Sequence, residues 1–227
     1  MHQFFSVKSS CVLCGDTTSE PISLCKPCQG DLPRIKNACE CCGLPILEPS
    51  LGLCGDCLTS PLEVDYTKSL FYYDSPIDHL IGQLKFKEAL SAASILGHLL
   101  AESVEMVEDL PDVIVPVPLH KKRLVQRGFN QSLEIARPVS KQLKLPIDTN
   151  LVRRTKSTRA QAKLNVSERK KNIKDCFEIQ HQQIYQHVVL IDDVMTTGST
   201  INELARVLKL SGVKKVGVWS IARAILS

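Results

Sequence analysis

Val188-Val-Leu-Ile-Asp192-Asp193-Val-Met-Thr196-Thr197-Gly198-Ser199-Thr200 decides how this chain is read. The apolar run predicts a strand over Val188–Asp192 that delivers two adjacent acids. A small hydroxyl-rich turn then opens a helix predicted over Ser199–Leu210. In open α/β sheets, ligands bind beyond the carboxyl ends of the strands. Backbone N–H groups around Gly198, with the donors of a helix N-terminus, make an anion cradle there. Thr196, Thr197, Ser199 and Thr200 add hydroxyl donors. Two carboxylates beside such a cradle repel a phosphate unless they face something else. The hydroxyls of a sugar suit them, because an ionised carboxylate only accepts hydrogen bonds. The local chemistry is that of one ribose 5-phosphate unit held at both ends.

This segment resembles the 13-residue phosphoribosyl-pyrophosphate (PRPP) motif of type I phosphoribosyltransferases. The resemblance implies that Asp192, Asp193, Val194, Met195, Thr196, Thr197, Gly198, Ser199 and Thr200 bind PRPP. Asp192 and Asp193 would act on the ribose hydroxyls as the catalytic pair, and residues 196–200 would take the 5′-phosphate. The competing phosphate-loop signatures, GxGxxG and GxxxxGK(S/T), do not occur in the chain.

Outward from this segment, strands alternate with helices. Lys68–Tyr73 and Asp112–Pro118 read as strands, and Lys215–Ala222 as a last strand. Ile77, Leu80, Ile81 and Leu84 fall at helical spacing after Pro76, and a second helix is predicted from Glu88 to about Glu108. Asn130–Leu143 is amphipathic, with Pro138 inside it predicting a kink or an early break. Apolar runs without alternation predict an α/β fold, a parallel sheet covered by helices on both faces. With the motif above, the expectation is a type I phosphoribosyltransferase fold over residues 61–227.

Pro116-Val-Pro118-Leu-His120-Lys121-Lys122-Arg123 and Arg127-Gly128-Phe129-Asn130-Gln131 follow the end of the earlier strand as basic loops. They lie beside the phosphate turn if the two strands are neighbours, and Arg123 and Arg127 then suit pyrophosphate oxygens through paired hydrogen bonds. Asn130 also reads as the N-cap of the helix after it. Residues 153–172, between short strands predicted at Asn150–Arg153 and Cys176–Ile179, are polar and basic. In the transferase fold such an insertion is a lid that excludes water, and Arg154, Gln161 and Arg169 are its candidate ligand contacts.

Nine of the 10 cysteines lie in the first 57 residues. They read Cys11-x2-Cys14, Cys25-x2-Cys28, Cys39-x2-Cys42 and Cys54-x2-Cys57, four knuckles able to complete two four-thiolate zinc sites. Consecutive pairing of the knuckles and cross-braced pairing fit the spacing equally well, and Cys41 is surplus. Few large apolar residues occur here, so metal must supply folding energy to residues 1–60, a zinc-ribbon-like domain. Four thiolates leave no open position for catalysis, and the module reads as a metal-stapled appendage that presents a surface.

Of 227 residues, 44% are hydrophobic and 23% charged, the composition of a globular protein. No apolar run approaches the roughly 20 residues that cross a bilayer, and the N-terminus has no signal-peptide core. The expectation is a cytoplasmic protein without membrane insertion. Net charge is +4, yet His120–Lys174 carries 16 Lys and Arg against three acids, so the remainder is strongly acidic. Such a stretch fits a nucleic-acid backbone, with Lys121, Lys122, Arg123 and Arg127 as contacts, although Phe129 is its only aromatic.

The knuckles, the Pro116-x-Pro118…Arg127-Gly-Phe-Asn-Gln131 stretch, Gln161 and Asp192–Thr200 together resemble the ComF family (ComF/GntX-like) over nearly the whole chain, in the family's order. The resemblance implies Mg2+ with PRPP, two structural Zn2+, and a part in natural transformation acting on internalised single-stranded DNA. It implies partners among DNA-uptake proteins of the ComFA-like helicase and DprA-like loader types. Two readings follow: a phosphoribosyltransferase with an unidentified acceptor, or a PRPP-binding, non-enzymatic DNA-binding or regulatory protein on the same scaffold.

Overall fold

The computed structural model of the protein describes residues 8–84, 90–106, 109–156, 173–181 and 185–225. It begins with two small cysteine ribbons. The first contains a two-residue hairpin, Ser9–Ser10 (β1) with Thr17–Thr18 (β2), and the short helix Lys26–Gly30 (α1). The second ends in the helix Gly55–Thr59 (α2). Then follow Tyr66–Tyr72 (β3), Ile77–Gln83 (α3), Leu90–Val104 (α4), Val113–Pro116 (β4), Lys121–Arg127 (α5) and Gln131–Leu143 (α6). The chain continues through the antiparallel pair Val152–Arg154 (β5) and Phe177–Ile179 (β6), then His187–Met195 (β7), Ser199–Leu210 (α7) and Lys215–Arg223 (β8).

The four long strands form one sheet in the order β3-β8-β7-β4, parallel throughout. Its central strands are apolar on both faces: Val188, Val189, Leu190 and Ile191 in β7, and Val216, Val218, Trp219 and Ile221 in β8, are buried. β7 runs three residues beyond the predicted end, because Val194 and Met195 still pair with Ala222 and Arg223 of β8. On one face α3, α4 and α6 bury Leu80, Leu96, Leu99, Leu100, Ile135 and Val139. On the other, α7 buries Ile201, Leu204 and Leu208.

Pro138 does not break α6, which continues to Leu143. Its apolar side, Ile135, Ala136 and Val139, is buried, so tertiary packing offsets the missing N–H. The proline ring meets α4 at Gly97, where an added Cβ would overlap the Pro138 ring and the Ile135 carbonyl. A second difference from expectation is α5, predicted as part of a basic loop. His120 caps it by accepting from the Lys122 N–H through Nδ1 (3.2 Å), and Gly128, with φ of 84°, ends it.

The ribbons are not a separate appendage. Segment 33–40 lies along the outer edge of β3: Ile35 N–H donates to Leu70 O (3.0 Å), Tyr72 N–H to Pro33 O (2.9 Å) and Thr67 N–H to Glu40 O (2.6 Å). Leu24 and Leu32 join the core that holds Phe71, while Cys39, Cys41, Cys42 and Cys57 join the core that holds Val64 and Met195.

The α4–α6 crossing gives a sign contrast between two glycines. Gly97→Ala should cost about 1–3 kcal/mol through overpacking. Gly82→Ala, in α3 with open space around its Cβ position, should be neutral or gain up to about 1 kcal/mol in helix propensity. Thermal unfolding of both variants checks this; equal shifts in melting temperature would show that the crossing tolerates a methyl group.

Candidate functional site

Two quartets of thiols are assembled, Cys11/Cys14/Cys25/Cys28 and Cys39/Cys42/Cys54/Cys57, the four sulfurs of each lying within 4.8 Å of one another. Consecutive knuckles pair, and the cross-braced alternative does not occur. Cys14 Sγ and Cys25 Sγ are 3.7 Å apart, and Cys42 Sγ and Cys54 Sγ 3.6 Å. A tetrahedral ion with Zn–S bonds of roughly 2.3 Å needs sulfur edges of about 3.8 Å, so the residues present fit zinc. One thiol of each quartet is acidic. Burial alone would push Cys11 and Cys39 up, but backbone hydrogen bonds from neighbouring knuckle residues bring them down to about 6 and about 7. These are two structural zinc-binding clusters. Cys41 is surplus to both, and its Sγ accepts from the Leu62 N–H (3.2 Å).

The second site is a cleft of about 220 Å³ at the carboxyl ends of β4 and β7. Parallel pairing sets Pro116 opposite Ile191, and Val117 N–H adds one more bond to Ile191 O (3.0 Å). Asp192 and Asp193 therefore emerge beside the segment that leads into α5. Asn130 folds the start of α6 back over it: Nδ2 donates to Val117 O (3.0 Å), and Oδ1 accepts from Ser132 N–H (3.1 Å), which makes Asn130 the N-cap expected from sequence. Ser132 Oγ in turn donates to Asp192 Oδ1 (3.1 Å), which also accepts the Asp193 N–H (3.0 Å).

At the turn, Gly198 has φ of 73°, a conformation that favours glycine. A Cβ there would also stand 3.0 Å from Leu62 Cδ1 and Met195 Cε. Ser199 begins α7, and Thr196, Gly198, Ser199 and Thr200 line the cleft at its first turn, where helix N–H groups lack intrahelical partners; the Ser199 N–H donates to Thr197 Oγ1 (3.4 Å). Thr197 does not line that cleft; its Oγ1 hydrogen-bonds Ser199 Oγ (2.9 Å) and steadies the turn from behind.

Three guanidiniums, of Arg123, Arg127 and Arg154, line the same cleft as the two acids. Burial lowers the pKa of Arg127 and of Arg154, and the charge of Arg123 lowers both further; Asp193 opposes the effect on Arg127. An anion among them relieves this repulsion. Asp192 is pushed well above the ordinary carboxylate range, first by burial and then by the charge of Asp193, against the lowering hydrogen bonds of the Asp193 N–H and Ser132.

Most of the expected site residues converge on this cleft: Asp192, Asp193, Val194, Met195, Thr196, Gly198, Ser199, Thr200, Arg123, Arg127 and Arg154. Arg154, expected in a lid, belongs instead to β5. It is 8% exposed, with its guanidinium over the Phe177 ring at 5.6 Å, so strand pairing fixes it. Gln161 and Arg169 lie outside the described residues. Lys121 and Lys122 are exposed on α5 and do not line the cleft. Sequence reasoning missed Ser132 as the residue that holds Asp192. Its place in the first turn of α6, two residues after the Asn130 N-cap, was the available signal.

Two family models match the chain: a double zinc ribbon domain over residues 5–58 and a phosphoribosyl transferase domain over residues 86–224. The DNA utilization protein YhgH of Escherichia coli strain K12 is 37% identical over 207 residues, 89% of this chain and 91% of the relative. Competence protein F of Haemophilus influenzae is 33% identical over 233 residues, 99% and 100% of the two chains. Competence protein ComFC of Bacillus subtilis is 25% identical, with 90% of each chain covered.

The raised Asp192 carboxyl carries a stability consequence. A carboxyl whose folded-state pKa exceeds its unfolded value near 4 binds more protons when folded, so its contribution worsens as pH rises through the folded value. Neutral pH lies on the penalised side. Asp192→Asn, which removes the charge and keeps the shape, should raise the melting temperature at pH 7 by about 2–4 °C, as roughly 1 kcal/mol does in a chain of this size. The gain should shrink toward pH 4. A variant no more stable than the parent at pH 7 would show that Asp192 is not under this strain.

Proposed function

This chain belongs to the family of competence protein F and DNA utilization protein YhgH, a double zinc ribbon joined to a phosphoribosyltransferase domain, and we propose that it binds Mg-PRPP in the β4–β7 cleft and serves DNA uptake by acting on internalised single-stranded DNA. The observation that carries this reading is the sorting of charge within one cleft: two carboxylates at the end of β7, a phosphate-type turn after them, and three arginines facing them from α5 and β5. A 5′-phosphate suits the turn at 196–200, where N–H groups of the α7 first turn and the Thr196, Ser199 and Thr200 hydroxyls donate. Ribose hydroxyls suit Asp192 and Asp193, with Ser132 fixing the Asp192 carboxyl for that contact. Pyrophosphate suits Arg123, Arg127 and Arg154, which as planar forks can each offer two donors. Magnesium arriving with PRPP would supply charge neutralisation for the pyrophosphate leaving group, bound mainly through ligand oxygens and water. The chain's own share is then to position the ribose and stabilise the departing pyrophosphate, which is how catalysis without a general base proceeds.

The nucleic-acid half of the proposal draws on α5. Lys121 and Lys122 are exposed beside the cleft and α5 buries none of its residues, so their charge is available to a phosphate backbone. Titration calorimetry should give heat with Mg-PRPP in the parent protein, and at least tenfold weaker binding when Asp192→Ala and Asp193→Ala are combined. No heat in the parent would refute the PRPP reading. Binding of a single-stranded oligonucleotide should weaken steeply with salt. Lys121→Ala with Lys122→Ala should flatten the slope of log K against log salt by about 1.4, at roughly 0.7 for each phosphate no longer neutralised. An unchanged slope would remove α5 from the DNA surface.

A further inference from the structure

Arg223, the last residue of β8, is 4% exposed and spends its guanidinium on backbone carbonyls. Its Nε donates to Cys42 O (2.9 Å), inside the second zinc cluster. Its Nη1 donates to Met195 O (3.2 Å), to Thr196 O and to Ala224 O (2.7 Å). One side chain thus joins a metal-ligating residue to the two residues that lead into the phosphate turn. The join is also electrostatic. Four thiolates around Zn2+ carry a net charge near −2, and Arg223 is a buried cation that feels Cys42, Cys54 and Cys57.

A second connection runs in parallel. Thr67 Oγ1 donates to Cys41 O (2.6 Å), which seats the cluster on β3. Cys41 Sγ accepts the Leu62 N–H, and Leu62 Cδ1 lies 3.0 Å from where a Gly198 Cβ would stand, in contact range of the turn itself. Glu63 N–H then donates to Asn202 Oδ1 (2.6 Å) in α7. The first cluster has neither connection among the described residues. Cys11 and Leu24 pack into the core on the opposite side of the sheet, with Phe71, and none of these bonds reaches it.

We propose that the second four-cysteine cluster is the positional anchor of the phosphate turn, acting through Arg223 and Leu62, so that zinc at this cluster and an anion at the turn stabilise each other while the first cluster stays uncoupled. Arg223 is a positioning residue: it does not line the cleft, but it bonds the Met195 and Thr196 carbonyls and so fixes the backbone from which the turn starts. Loss of zinc from the second cluster frees the Cys42 carbonyl to move, and Arg223, a buried cation, must follow or lose its partners. Coupling of this kind is reciprocal by thermodynamic necessity.

Amide hydrogen exchange across residues 195–200 tests the anchor without any ligand, with zinc counted per chain in each variant. Cys54→Ser and Arg223→Met should each speed exchange at the turn at least tenfold, the latter with both zinc ions retained. Cys14→Ser should lose the first zinc and change exchange at the turn less than twofold. Arg223→Lys, which keeps the charge but cannot span both sets of carbonyls, should fall between parent and Arg223→Met. Should Cys54→Ser fail to fold, the two Arg223 variants decide the matter. An unchanged turn in Arg223→Met, or equal loosening by Cys14→Ser and Cys54→Ser, overturns the proposal.

The linkage arm rests on the PRPP reading above. Saturating Mg-PRPP should slow zinc release to a chelator for one of the two ions in the parent and for neither in Arg223→Met. Protection of both ions in the parent, or of neither while Mg-PRPP binds, counts against the anchor. If Mg-PRPP does not bind at all, the ligand reading fails while the exchange measurement still judges the anchor.

Discussion

The parallel pairing of β4 with β7, which sets the end of β4 beside Ile191 and the two acids that follow it, is what the rest of this molecule depends on. β4 and β7 pair from Val113 with Val188 to Pro116 with Ile191, and one further bond from Val117 closes the ladder. Whatever follows each strand is therefore delivered to one edge of the sheet. Past Ile191, β7 carries two acids and leads into the turn; after β4 come only a few residues before α5 and its arginines. Asn130 shortens the path again by bonding the Val117 carbonyl, which draws the start of α6 over the strand end and puts Ser132 on Asp192. A slip of this register by one residue would turn the buried side chains of β7 to the opposite faces and scatter the site.

That convergence is costly in the folded protein. Two carboxylates and three guanidiniums share a cleft of about 220 Å³. Arg123 opposes Arg127 and Arg154, Asp193 opposes Asp192, and burial opposes the charge on Arg127, Arg154 and Asp192. A structural ion pair sets opposite charges in contact and calms both, as Arg206 does with Glu203 at 2.8 Å on α7. Perturbed groups of both signs, gathered around a common space with like charges facing like, are the pattern of a candidate functional site rather than of a structural ion pair.

What the sequence disclosed and what it hid follow from the range of the interactions. The turn at 192–200 was legible because its strand, acids, glycine and helix start are contiguous, and each residue type has its own local reason. The knuckles were legible by spacing, but their pairing was not, since the gaps between them are nearly equal. Helix α5 was hidden because it buries no residue, so Lys-Lys-Arg-Leu-Val-Gln-Arg shows no apolar face; a histidine cap and Gly128 define it instead. Arg154 looked like a loop residue because it lies in a run of basic residues, and only pairing with Phe177 across the β5–β6 ladder buries it. Arg223 was beyond reach in a different way: its bonds to Cys42 and Met195 span 181 and 28 residues, and nothing near it in sequence marks them.

The cysteine ribbons take a different meaning once their neighbours are known. β3 is an edge strand, and a bare edge invites pairing with another chain. Segment 33–40, which leads from the first cluster into Cys39 of the second, satisfies that edge through Ile35, Tyr72 and Thr67 and places Arg34 over the Phe71 ring at 5.2 Å. Because Leu24 and Leu32 enter one core and Cys39, Cys41, Cys42 and Cys57 the other, neither the ribbons nor the sheet buries its apolar surface alone. Zinc binding therefore contributes to the folding of the sheet edge as well as of the ribbons. A sheet of four strands can then hold a site of opposed charges at one end, since its outer strand β3 is covered by chain that runs between the zinc-binding clusters.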